Sequence, residues 1–137
     1  MSEDLDYYDY NFKALLWRLL SSEKLKQRTV KQSGELYYEM TAGRFRDLYY
    51  LVRVLIQELA DYEKMPDGPQ ISAEVLEQDG FGDTRFFRCN VAQVGSELVG
   101  FTLYYYTYST WEGKQVYMED LYVQPSFRSQ GIGTKVR

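Results

Sequence analysis

From residue 36 onward the chain switches between two apolar periods. Leu48, Leu51, Val52, Leu55, Ile56 and Leu59 recur at i, i+3, i+4, i+7, i+8 and i+11. That spacing is one stripe of a 3.6-residue helix, and Asp47 is a plausible cap for its start. Lys64-Met-Pro-Asp-Gly-Pro-Gln70 has the turn chemistry to end the helix after Asp61-Tyr62-Glu63. Ser72 then caps a second, short helix with Glu74 near its positive end, and Asp79-Gly-Phe-Gly-Asp83 turns the chain toward a sheet. Beyond that point the period drops to two. Phe87, Cys89 and Val91 alternate with Arg88 and Asn90, so one face of that strand is buried and Cys89 reads as a core residue. Gly95-Ser96 is a two-residue hairpin signal leading into Leu98–Tyr108, a long strand that is apolar or aromatic on both faces. With a short first strand over Leu36–Thr41 and another over Val116–Val123, the order is strand, helix, helix, strand, strand, strand, helix start. This predicts an α/β (α+β) domain, a mixed sheet with helices on both faces.

Residues 1–35 follow a different pattern. A polar, tyrosine-rich start is followed by Phe12, Leu15, Leu16, Leu19 and Leu20 at helical spacing, which predicts an amphipathic helix in an N-terminal extension. The acidic start argues against secretory or organellar targeting, and Lys13 and Arg18 interrupt an apolar run too short to span a bilayer. The expected location is therefore cytoplasmic.

Composition narrows the chemistry. A formal charge of −4 disfavours nucleic acid or an anionic membrane surface as partner and is compatible with a cationic substrate. The single Cys89 allows no internal disulfide, and with no histidine there is neither a zinc-type cluster nor a His-assisted nucleophile, so no metal is expected. Carboxylates, hydroxyls, amides and arginine are left to do the work.

Those groups concentrate in Val116-Tyr-Met-Glu-Asp-Leu-Tyr-Val-Gln-Pro-Ser-Phe-Arg-Ser-Gln-Gly-Ile-Gly-Thr-Lys135. The apolar residues around Glu119 and Asp120 suggest a buried strand, in which period-two alternation sends the two acids to opposite faces and desolvates Glu119. Pro125 ends the ladder. Arg128-Ser-Gln-Gly-Ile-Gly133 then offers backbone amides ahead of a helix beginning near Thr134, an anion site. The P-loop pattern fails here because Gly133 is followed by Thr134-Lys135, and the dinucleotide fingerprint fails because Val136 stands where its third glycine belongs.

Arg128-x-x-Gly131-x-Gly133 between strand and helix does match the pyrophosphate-cradling signature of the GNAT acyl-CoA-dependent N-acetyltransferases. Asp79-Gly-Phe-Gly82, Tyr108-Ser-Thr-Trp111 with Gly113, and Tyr117-Met-Glu-Asp-Leu-Tyr-Val123 occur in order around it. Together they resemble the diamine acetyltransferase branch, which comprises the spermidine/spermine and thialysine enzymes. Ser109-Thr110-Trp111 is closer to the thialysine type. The resemblance covers about residues 36–137, read as the N-terminal portion of a GNAT domain.

The resemblance implies a mostly antiparallel GNAT-like sheet and acetyl-CoA as co-substrate. The acceptor would be a small-molecule primary amine of a diamine, polyamine or thialysine-like compound. A homodimer is implied for the full-length form. Leu121, Tyr122 and Val123 would meet the pantetheine, and Arg128, Ser129, Gln130, Gly131, Ile132, Gly133 and Thr134 the pyrophosphate. Tyr62, Glu63, Trp111, Glu119 and Asp120 would meet the amine, with Glu119 as catalytic base directly or through a water. Read without the family, Tyr62 and Glu63 are a solvated helix end, and adjacent acids on a strand are more often a solvated edge than a catalytic pair. In the family a later strand and a tyrosine that protonates the leaving thiolate follow the position of Arg137. The expectation is thus a fold incomplete at its C-terminus, and the alternative is a catalytically inactive truncated form that acts as a partner subunit of a full-length enzyme.

Overall fold

The structure, a computed structural model, describes residues 35–40 and 46–137. The helix expected around Phe12–Leu20 lies outside the described residues, as does Thr41. Four strands and three helices follow: β1 Glu35–Glu39, α1 Arg46–Tyr62, α2 Ala73–Phe81, β2 Arg88–Val94, β3 Glu97–Ser109, β4 Gly113–Val123 and α3 Ile132–Val136, with a 3-10 turn at Pro125–Phe127 before α3. The predicted order is the observed one. The strands form one sheet in the order β1-β2-β3-β4, and every neighbouring pair is antiparallel.

Helices cover both faces because each face carries its own apolar set. Leu48, Val52 and Leu55 of α1 and Leu76 of α2 are buried against Cys89, Val91, Phe101, Leu103 and Tyr122 of the sheet. On the other face Ile132 and Val136 of α3 pack with Tyr37, Ala92 and Val99. The short α3 is also held by charge. Buried Glu35 accepts hydrogen bonds from the Tyr37 hydroxyl at 2.7 Å and the Lys135 ammonium at 3.1 Å. These contacts, Tyr37's first, hold the Glu35 carboxyl below its usual pKa despite burial.

Several boundaries move. β1 begins at Glu35, one residue before the expected start, and α1 already contains Arg46, so Asp47 stands inside its first turn rather than at the cap. The Ser72 hydroxyl does cap α2, accepting from the Val75 amide at 3.2 Å. That helix runs through Asp79, Gly80 and Phe81 before Gly82 ends it, so the expected turn starts three residues later than read. Gly80 is needed there for space: a Cβ would sit 2.9 Å from the Phe87 ring. α3 opens at Ile132, two residues ahead of Thr134.

Candidate functional site

β4 is an edge of the described sheet, and its pairing with β3 is broken once. Leu103 opposes Asp120 while the next residue, Tyr104, opposes Met118, so Glu119 is an extra residue on β4, a β-bulge. This overturns the expected opposite-face arrangement. The bulge cancels the alternation at one step, and Glu119 and Asp120 line the same cavity of about 380 Å³. The Thr102 hydroxyl, buried beneath, donates to the Asp120 carbonyl at 2.9 Å.

That cavity lies on the α1/α2 face. Ile56, Leu59, Met65, Ile71, Leu76, Phe87 and Leu103 give it apolar walls, and its charged lining is Glu63, Asp79, Glu119 and Asp120. Among the described residues no basic side chain lines it. The loop that forms its rim is pinned to α1: Arg53 Nε donates to the Ile71 carbonyl and Gln57 Nε2 to the Pro66 carbonyl, each at 2.8 Å. Glu119 is exposed, and so are Val116, Tyr117, Met118 and Leu121 around it, contrary to the expected buried strand. The cause is again β4's edge position, which leaves these side chains without a neighbouring strand. The desolvation falls on Asp120 instead. Burial, then the charges of Glu119 and Glu63, push its carboxyl above the ordinary aspartate pKa. The Tyr105 hydroxyl reaches Glu119 Oε2 at 3.5 Å.

A second cavity, about 460 Å³, opens on the other face at the end of the same strand. Leu121 and Val123 form its floor, and Phe127, Arg128, Ser129, Gly131, Ile132, Gly133, Thr134 and Arg137 surround it. Ser129 at φ 62° and Gly131 at φ 79° are both left-handed, an alternation that turns successive backbone amides toward one side. The first amides of α3 have no intrahelical acceptor. At Gly133 an added Cβ would meet only Val123 Cγ2 at 3.9 Å, and at Gly131 nothing within 4 Å. The backbone at both glycines is therefore open to a ligand, and the loop fits the diphosphate of an acyl-CoA.

Arg128, which lines the second cavity, also reaches toward the end of α1. Its Nε donates to the Val123 carbonyl at 2.8 Å, and its guanidinium carbon lies 4.7 Å from the Tyr62 ring centre and 5.5 Å from that of Tyr122. The Tyr122 hydroxyl donates to Glu58 at 3.1 Å, and Gln124 Nε2 donates to both Glu58 oxygens at 3.1 and 3.2 Å. Burial, then Glu58, raises the Tyr122 pKa.

Of the residues expected to meet an amine, Glu63, Glu119 and Asp120 come together. Tyr62 lies against Arg128 instead, and Trp111, 96% exposed, sits at the β3–β4 hairpin tip, roughly 20 Å from Glu119 at ~3.3 Å per strand residue. Ser109 Oγ holds that tip by accepting from the Trp111 and Glu112 amides, both at 3.1 Å. Of the residues expected to hold the cofactor, Tyr122 turns its side chain to the α1 face and Gln130 is exposed outside the lining; the rest line the second cavity. Sequence reasoning missed Asp79 and Glu58. Glu58 was findable, since it precedes Tyr62 by four residues and so shares its helix face.

Comparison with known proteins gives the family. Residues 51–136 match the family model described as Acetyltransferase (GNAT) family. The thialysine N-epsilon-acetyltransferase of Bos taurus is 50% identical over 90 residues, which cover 60% of this chain and 53% of that protein. The spermidine/spermine N(1)-acetyltransferase-like protein 1 of Homo sapiens is 37% identical over 114 residues, 78% of this chain and 16% of that one. Among solved structures, an aminoglycoside acetyltransferase from an uncultured soil metagenomic sample, in complex with sisomicin, superposes with a TM-score of 0.59 at 20% identity, covering 75% of this chain and 64% of that one. The chain thus spans about half the length of the curated thialysine enzymes it matches.

Proposed function

The chain belongs to the GNAT acetyltransferase family, and from that premise we propose that it serves transfer of an acetyl group from acetyl-CoA to a primary amine of a diamine, polyamine or thialysine-like substrate. One observation carries the proposal. The end of β4 has a carboxylate-lined apolar cavity, which the bulged Glu119 helps to line, on one face and an amide- and arginine-lined loop on the other. A cavity that, among the described residues, is lined by four carboxylates and no basic side chain suits an alkylammonium and rejects an anion. Curated relatives named for thialysine and spermidine/spermine acetylation support the same class.

In this reading acetyl-CoA supplies the activated acyl group as a thioester. The chain's own residues do the rest. Ser129 to Thr134 and Arg128 hold the diphosphate, and Leu121 to Val123 lie along the pantetheine. Glu63 and Asp120 hold the substrate's positive charge against the apolar wall. An ammonium with a reference pKa of ~10 must lose a proton before its nitrogen can attack. Glu119, at the bulge and open to solvent, is the group we assign to receive that proton, directly or through a water.

Calorimetric titration with acetyl-CoA, run with mass-spectrometric detection of acetylated diamine, tests the proposal. Binding should weaken in Gly133→Val, because the valine side chain enters space the fold leaves open and the ligand would need. Unchanged affinity would remove the loop from the site.

A further inference from the structure

Lys135 is a cation two residues after Gly133, where its charge would suit a diphosphate, yet it lies outside the lining of the loop cavity and bonds to β1. We propose that Glu35, at the start of β1, is a positioning residue for the acyl-CoA loop: it holds Lys135 and thereby sets how α3 and the Ser129 to Thr134 backbone stand on the sheet. This rests on the acetyl-CoA reading above.

Three observations carry it. First, the contact ties the loop's own helix to the strand at the opposite edge of the described sheet from β4. Lys135 Nζ donates to Glu35 Oε2 at 3.1 Å, across 100 residues of sequence, while Gly133 and Thr134 just before it line the loop cavity. Second, the pair is anchored on both sides. The Glu35 side chain is 9% exposed, the same Oε2 accepts from the Tyr37 hydroxyl at 2.7 Å, and Lys135 Nζ lies 5.8 Å from the centre of the Tyr37 ring. Solvent-exposed ion pairs hold little. A carboxylate shielded from water, with a second donor on the same oxygen, keeps its partner in one place. Third, α3 cannot hold itself. Its five residues make little more than one turn, and its cap Gly131 has no side chain to bond the first amides, so its place depends on tertiary contacts. Ile132 and Val136 supply apolar contacts, and Asn90 Nδ2 donates to the Val136 carbonyl at 3.3 Å. Apolar burial is non-directional and sets how closely α3 lies on the sheet. The bond from Glu35 to Lys135 is directional and sets its rotation, and with it the aim of the Gly133 amide.

Glu35→Gln keeps the side chain's shape and an acceptor for Tyr37 but removes the charge that holds Lys135. Because Glu35 and CoA are both anions, electrostatics alone would make this variant bind CoA more tightly, and a displaced loop would make it bind less. The test titrates CoA into wild type, Glu35→Gln, Lys135→Gln and Lys135→Arg at low salt and at about 0.5 M NaCl, where long-range attraction is screened, after melts show each protein folded. The Gly133 amide resonance, assigned with Gly133→Ala in 15N-glycine-labelled protein, is followed without ligand. Glu35→Gln should weaken CoA binding about three- to tenfold, the scale of one net hydrogen bond. Lys135→Gln should lose as much at both salt concentrations, and Lys135→Arg, which keeps the charge, should stay within about twofold of wild type. The Gly133 resonance should move in Glu35→Gln and Lys135→Gln and stay near its place in Lys135→Arg. CoA affinity unchanged or raised in Glu35→Gln would overturn the proposal, a rise showing that the released Lys135 binds the diphosphate itself. If Glu35→Gln does not fold, Lys135→Gln decides: a loss that vanishes in high salt makes Lys135 a distant charge and overturns the proposal. If wild type takes up no CoA, the acetyl-CoA reading fails, and the Gly133 resonance still tells whether Glu35 sets the loop.

Discussion

Replacing Gly100 with alanine should damage both the sheet and the cofactor edge. Gly100 is a buried residue of β3 opposite Val123, and a Cβ there would lie 2.8 Å from the Tyr122 carbonyl oxygen and 3.3 Å from Val123 Cγ2. Close carbon–oxygen contacts across a sheet run at ~3.3–3.6 Å, so β3 and β4 must part by roughly half an ångström. The obstructing atom is backbone and cannot rotate away. Overpacking of this kind costs roughly 1–3 kcal/mol. In a domain of this size each ~1 kcal/mol lowers the melting temperature by about 4–8 °C, so a fall between about 4 and 24 °C is expected. Gly133→Ala is the control, since its Cβ would meet only Val123 Cγ2 at the ordinary distance of 3.9 Å. Thermal melts by circular dichroism, with urea titration to confirm an unchanged slope, measure the difference. CoA titration of the same proteins should show weakened binding in Gly100→Ala, because Tyr122 and Val123 are the residues displaced. If Gly100→Ala melts within a degree of Gly133→Ala, the close approach of the two strands does not constrain the site and the reasoning is wrong.

Glu119→Gln keeps the shape and removes the base, so acetyl transfer should fall by roughly two to four powers of ten while CoA affinity holds; near-normal turnover would sink the assignment. Asp120 titrates above the ordinary aspartate value when folded, so the folded chain binds its proton more tightly than the unfolded one and loses stability as pH rises through that interval. Asp120→Asn should therefore melt higher than wild type at pH 7 and converge with it below about pH 4, which melts across that range would show. Ser72→Ala deletes the cap bond to Val75 and should cost about 1 kcal/mol in urea unfolding without changing CoA affinity. Gly131→Val forces a β-branched residue into φ 79° and should lose stability as well as CoA binding, unlike Gly133→Val, whose loss should appear in binding alone.

Sequence alone determined the order of elements, because apolar period is a local property. The stripe from Leu48 to Leu59, the Ser72 cap and the Gly95-Ser96 hairpin, with Gly95 at φ 60°, each rest on residues within a turn or two of one another. The Arg128-x-x-Gly131-x-Gly133 stretch was legible for the same reason: a left-handed glycine at Gly131, directly ahead of α3, is a short-range requirement. What stayed hidden depends on which strand lies beside which. Alternation predicted opposite faces for Glu119 and Asp120, and a single unpaired residue in the β3–β4 register reversed that, bringing both to one cavity. Burial of β4 was likewise misjudged, since Val116, Tyr117 and Met118 have strand propensity wherever they sit, while exposure follows from β4 lying at the edge of the described sheet. The partners of Tyr62 were beyond reach as well. An aromatic beside an acid reads as an ammonium site, and only the packing of α1 against the turn after β4 brings Arg128, 66 residues further on, over its ring. Local spacing sets which elements form, and long-range register sets which charges meet.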